Sequence, residues 1–137
     1  MVATKKRNIN FFLILLDIKT ILMPVNEPLL NRVREALMHL PDVEEKAMFK
    51  GVCLMVDGKM CICVNDDDIL CRIGPEKLEE ALEKHGCHQM MHNGKPMKDY
   101  VFVSQDVLHN QQEFEYWVGL SLDFNKFAKA SKKKKKA

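Results

Sequence analysis

The chain has 137 residues, 47% of them apolar, which suits one domain built around one core. Its net charge of +2 hides an uneven distribution. Residues 1–22 carry Lys5, Lys6, Arg7 and Lys19 against Asp17, Lys132 to Lys136 form a basic tail, and 12 basic and 18 acidic residues stand between. An acidic body repels phosphate, which makes the globular part a poor candidate for binding DNA or RNA unaided.

The first 22 residues combine Lys5-Lys6-Arg7 with the apolar Phe11-Phe12-Leu13-Ile14-Leu15-Leu16. Asn10, Asp17 and Lys19 interrupt the run well short of the ~20 residues that span a bilayer, and no small-residue cleavage site follows. The expected organisation is an N-terminal extension (1–22) outside the domain, a domain over 23–130 starting at Met23-Pro24, and a disordered lysine tail over 131–137. The five cysteines are an odd number and follow no export signal, so they read as reduced cytoplasmic thiols.

Asn26-Glu27-Pro28 supplies a cap and a first-turn proline. Leu29, Leu30, Val33, Leu37 and Leu40 then recur at helical spacing, up to Pro41. Met48 to Ile73 reads as three antiparallel strands. Asp57-Gly58 is a two-residue hairpin signal, because a type I′ turn needs positive φ at both central positions. That turn pairs Val56 with Lys59, Leu54 with Cys61, and Cys53 with Ile62. A second turn at Asp66-Asp67 pairs Val64 with Ile69 and Ile62 with Cys71. Alternation then sends Cys53, Met55, Met60, Ile62, Val64, Ile69, Cys71 and Ile73 to the core. Val52, Leu54, Val56, Lys59, Cys61, Cys63, Leu70 and Arg72 go to a mixed outer face.

Gly74-Pro75-Glu76 opens a second helix, with Leu78, Ala81 and Leu82 inward and Gly86 as its stop. His88 to His92 and Tyr100 to Ser104 read as two further strands across an Asn93-Gly94-Lys95-Pro96 turn. A last helix runs from Asn110 to about Ala130 on Phe114, Trp117, Val118, Ser121, Phe124 and Ala128. The order α-β-β-β-α-β-β-α predicts an α+β two-layer sandwich with an antiparallel sheet.

No catalytic constellation emerges. In the register above, Cys53 and Cys71 lie roughly 9–10 Å apart on one face while Cys61 and Cys63 point the other way, so four thiols cannot meet around zinc. His88 and His92 share a strand face ~13 Å apart, too far to chelate one ion. The serines sit in no nucleophile elbow, Asp66-Asp67-Asp68 lacks the glycine and glutamate of a calcium loop, and no glycine-rich phosphate loop is present. No metal, cofactor or catalytic residue is therefore expected. The mixed face of Val52, Leu54, Val56, Cys61, Cys63 and Leu70 is a candidate interface for a homodimer or another protein. The alternative is a ligand binder or enzyme using an exposed Cys61 or Cys63 with Arg72, Lys59 and Lys95. Lys132, Lys133, Lys134, Lys135 and Lys136 are expected to give weak, nonspecific nucleic-acid contact.

Met48-Phe49-x-Gly51, Asp57-Gly58-Lys59-Met60, Leu70-x-Arg72-Ile73-Gly74 and Gly94-Lys95-Pro96-Met97-Lys98 resemble the N-terminal domain of the TfoX/Sxy family. Glu115-Tyr116-Trp117 and Phe124-Asn125-Lys126 fit as well, and the resemblance covers about Asn26 to Lys129. It implies the two-layer fold, with Phe49, Gly51, Gly58, Lys59, Arg72, Gly94, Pro96 and Met97 as motif positions of unassigned role. Lys50 departs from the family's usual glycine. The best-known members are regulators of DNA-uptake competence that help the cAMP receptor protein act at particular promoters, and they carry a second, C-terminal domain. The resemblance here is to the first domain alone, which implies a cytoplasmic, non-enzymatic interaction module.

Overall fold

The structure is a computed structural model that describes residues 25–130. The expected extension over 1–22, the start at Met23-Pro24 and the tail over 131–137 lie outside the described residues. Asn26 caps helix α1 (Glu27–Leu37), its side chain accepting from the Leu29 N–H, with Pro28 in the first turn. Leu29, Leu30, Val33 and Leu37 are buried along one stripe, as the helical spacing demands.

Six strands follow in one antiparallel sheet: β1 (Val43–Met48), β2 (Gly51–Val56), β3 (Lys59–Val64), β4 (Asp68–Arg72), β5 (Cys87–His92) and β6 (Lys95–Ser104). Their spatial order is β1-β2-β3-β4-β6-β5. Between β4 and β5 lie a 3₁₀ turn (Pro75–Lys77) and helix α2 (Leu78–Leu82). After β6 come α3 (Gln105–Leu108), capped by Ser104, and α4 (Gln111–Asn125), capped by Asn110. The fold is α+β, as expected, with one strand and one short helix more than the sequence suggested.

The extra strand is β1. Its four central residues, Glu44 to Ala47, are exposed, so it carries no alternating apolar signal. It is an edge strand, held by pairing with β2 from Val43↔Val56 to Met48↔Gly51. β6 starts at Lys95 rather than Tyr100, because Asn93-Gly94 alone makes the turn, with φ of 54° and 76°. Pro96 is tolerated there since β4 pairs only with Tyr100–Ser104, leaving one side of the early strand unpaired. The last helix ends at Asn125, not Ala130.

The Asp57-Gly58 turn forms as expected, with both φ positive and Val56 opposite Lys59. The expected pairings of Leu54 with Cys61 and Cys53 with Ile62 do not. A bulge after the Met55↔Met60 rung inserts one residue into β3, so Leu54 faces Ile62 and Cys53 faces Cys63. The β3–β4 register is as expected, with Val64↔Ile69 and Ile62↔Cys71.

One inserted residue reverses the facing of everything beyond it. Leu54, Val56, Cys61, Ile62, Val64, Ile69, Cys71 and Ile73 join the helices in the main core, around fully buried Trp117. Cys53, Met55 and Met60 move to the opposite side, where they cluster with Cys63, Leu70 and Met90. Every described helix except the 3₁₀ turn contributes buried residues to the main core, and none contributes to the second cluster.

The expected interface therefore dissolves. Leu54, Val56 and Cys61 are core residues beneath the helices, with Val52 packed against them. Cys63 and Leu70 are buried on the other face. These six side chains share no common surface.

Candidate functional site

The described motif residues do not all gather in one place. Met97 packs against the second cluster, Gly51 lies against the end of β3, and Phe49 and Gly94-Lys95-Pro96 sit in the β1–β2 and β5–β6 hairpins. The Asp57–Lys59 turn, the Arg72–Gly74 segment and Phe124–Lys126, by contrast, converge at the C-terminal end of α4. The convergence is built from specific contacts. Lys59 Nζ donates to the Asn125 carbonyl at 2.7 Å, placing a cation against the orphan carbonyls of the helix end. The buried Asn125 side chain donates back to Val56 O at 3.3 Å, which ties the hairpin to the helix. Gly74 has φ 88° and ψ 157°, a region open essentially to glycine alone. A Cβ there would lie 2.4 Å from Phe124 Cδ1, so the Phe124 ring rests directly on Gly74.

Arg72 stands beside this contact with a side chain only 15% exposed. Its guanidinium lies 5.5 Å from the Tyr100 ring centroid and 5.9 Å from that of Phe124. Nη1 donates to Lys129 O at 3.4 Å. Nε faces Asp99 Oδ2 at 3.6 Å, an ion-pair distance too long for a hydrogen bond, and has no hydrogen-bond partner. Burial pushes the Tyr100 phenol up, opposed by the Arg72 charge, so Tyr100 remains a neutral wall for the cation. Asp99 also receives the Ile73 and Gly74 N–H groups through its backbone carbonyl, which pins β6 to the exit of β4.

Beyond Phe124 opens a cleft of about 420 Å³ lined by Ile73, Gly74, Pro75, Leu120, Phe124 and Phe127 among others. Glu76, Lys77 and Asp123 supply its polar rim. Phe127 is 77% exposed, the most exposed large apolar side chain described. An exposed phenyl ring beside an apolar hollow is a surface feature suited to contact rather than to chemistry. A second groove between α1 and α4 is mixed, with Arg32, Glu35, Gln111 and Glu115 beside Ala36, Phe114 and Val118 on its walls. Arg32 stacks there over Phe114 at 4.1 Å and donates to Leu108 O at 2.7 Å, both contacts within the fold.

The thiols of the alternative reading are not exposed. Cys61 and Cys63 are buried on opposite faces. Burial pushes the Cys61 thiol up to about 12, with the Arg72 charge opposing, and the Cys53 neighbour and burial raise Cys63 strongly. A nucleophilic cysteine needs the opposite shift. Lys59 is committed to the helix end, and Lys95 sits in the exposed β5–β6 hairpin. Phe49 lies in the β1–β2 turn, 45% exposed, with φ of 54° followed by 63° at Lys50. Among the described residues, no group of three or more His, Cys, Asp or Glu could hold a metal ion, and no helix is long and apolar enough to cross a membrane.

Phe127 and Asp99 were not legible as site residues. Phe127 falls outside the stripe that defines α4, and an acid in a polar stretch carries no signal until the fold sets it beside Arg72.

The fold and cleft define a small α+β domain whose motif residues lock the end of its last helix to the sheet. The family model described as the TfoX N-terminal domain matches residues 35–125, and the chain belongs to that family. The match is somewhat narrower than the Asn26–Lys129 span of the resemblance. No curated protein and no solved structure matches the chain.

Proposed function

We propose that this chain is a small cytoplasmic, non-enzymatic protein-interaction module that docks through the cleft at the end of α4. The observation that carries this reading is Phe127, exposed beside an apolar hollow whose floor and wall are Ile73, Leu120 and Phe124. Knob and hole lie side by side, so a second copy related by a two-fold axis can seat its Phe127 in this cleft and receive the other in return. The occupant is thus another copy of the chain. Arg72 and Asp99 form the charged flank of the same end.

A role as an accessory to transcription or DNA-uptake competence is supported by family membership alone. Contact with nucleic acid falls to Lys132–Lys136, because the body carries more acids than bases. Deleting Ser131–Ala137 is expected to abolish retention on DNA; unchanged retention would place the contact on the body.

Sedimentation equilibrium at micromolar concentration tests the docking surface. The full chain should sediment as a dimer and F127A as a monomer with unchanged circular dichroism. A photo-crosslinker replacing Phe127 should join two copies. A wild-type monomer that gives no adduct from position 127 overturns the proposal.

A further inference from the structure

The two clusters flanking the sheet differ in composition in a way that apolar packing does not require. The helix-side core consists of Leu, Val, Ile, Ala, Phe, Trp and three cysteines, and contains no methionine. The second cluster is Cys53, Met55, Met60, Cys63, Leu70 and Met90, with Met48, Met97, Tyr100 and Phe102 packed against it. Seven of these ten side chains carry sulfur. A face that needed only apolar volume could use the Leu, Ile and Val that fill the other side.

Their placement is ordered. The Asp57-Gly58 turn sets Met55 opposite Met60, and the bulge beyond that rung sets Cys53 opposite Cys63, both pairs on one face of the β2–β3 ladder. Opposed side chains of such a pair start from Cβ atoms roughly 4.5–5.5 Å apart, and Cys53 and Met55 lie ~6.7 Å apart along β2. Four sulfur side chains thus share one patch of the sheet face. Both thiols turn to the same point: Cys53 Sγ lies 3.8 Å and Cys63 Sγ 3.4 Å from Met48 O. Cys63 Sγ is also 3.8 Å from Asn65 Oδ1.

We propose that Cys53 and Cys63, backed by the thioethers of Met55 and Met60, bind a soft monovalent metal ion, copper(I) being the natural choice. Thiolate and thioether are the ligands that select this ion, and two or three of them suffice, so the four-ligand requirement that excludes zinc does not apply. Binding is ligand exchange without change of oxidation state. Both thiol S–H bonds break as two S–Cu bonds form, and both protons leave to solvent. The thioethers donate neutral lone pairs. Half-buried Met48 and Met97 at the rim offer thioethers by which an ion enters from the surface.

The experiment uses the reduced full chain under anaerobic conditions, titrated with copper(I) against a chromogenic copper(I) chelator. The native chain should withhold one equivalent. C53A and C63A should each weaken binding about tenfold or more, on the scale of losses in metal sites. C87A, on the helix side, should leave it unchanged, and circular dichroism checks each variant's fold. X-ray absorption of the wild-type complex keeps the test valid if a cysteine variant unfolds: a sulfur-only coordination shell supports the site, and oxygen or nitrogen ligands overturn it. Failure to hold copper against the chelator, or equal loss in C87A, also overturns it. So does a Cys53–Cys63 disulfide forming in place of metal retention.

Discussion

Three glycines separate two reasons for a glycine, and substituting each with alanine tests whether the packing described is right. Gly51 has an ordinary φ, but a Cβ on it would lie 2.2 Å from Val64 O, 2.4 Å from Asn65 Oδ1 and 3.0 Å from Val64 C. Two of these atoms are backbone at the end of β3, fixed by the adjacent Val52↔Val64 pair. Relief requires opening that end of the ladder by roughly an ångström, an overpacking cost of about 3 kcal/mol. For a domain near 100 residues this lowers Tm by roughly 10–20 °C. Gly58 and Gly94 have open space around the would-be Cβ but φ of 77° and 76°. There alanine costs about 1–2 kcal/mol of left-handed strain, partly offset by about 0.4–1 kcal/mol from a less flexible unfolded chain. Urea unfolding followed through Trp117, the single tryptophan, measures all three. G51A should lose at least about 2 kcal/mol more than G58A or G94A, on the difference between those costs. Equal losses would refute the close approach of Gly51 to Val64.

Lys50→Gly should stabilise the chain by about 0.5–1 kcal/mol in the same assay, because φ of 63° in the β1–β2 turn suits glycine; a loss would mean the lysine side chain holds the turn. Asn125→Ala should cost about 1–2 kcal/mol by orphaning the buried Val56 carbonyl, and a silent substitution would break the link from hairpin to α4. Arg34 holds Glu45 bidentately, at 2.6 and 2.8 Å, and this hydrogen-bonded pairing sets the Glu45 carboxyl below its usual range. The stabilisation is fully present above the unfolded carboxyl pKa of about 4.3 and fades as pH falls through the lower folded value. The pair is about two-fifths exposed, so it is worth at most about 0.5 kcal/mol; an E45Q variant with the same acid-limb slope as wild type would contradict it. Cys61, with its thiol pushed up to about 12, should react with iodoacetamide only as fast as the domain unfolds. Rapid native labelling of Cys61, read by mass spectrometry, would restore the exposed-thiol alternative.

What the residues determine locally is correct where the signal is local. The Asn26 cap with its proline, the Leu29–Leu37 stripe, the Asp57-Gly58 turn and the start of the last helix near Asn110 each depend on interactions within a few residues. The family motifs were readable for the same reason. The exposed edge strand β1 left no apolar pattern, because its stability comes from a ladder with β2.

Composition and spacing alone thus determine the fold class, the helix stripe and the turn positions. Tertiary structure decided which face each β2 and β3 side chain occupies, since a single bulged residue changes parity without changing composition. It also decided the site: Arg72, the neighbours Asp99 and Tyr100, and Phe124 come from three separate stretches and meet only when β6 pairs with β4 and the end of α4 settles on Gly74. Local preferences are read along the chain, whereas facing and proximity are set by long-range pairing, where an error of one residue is enough to exchange inside for outside.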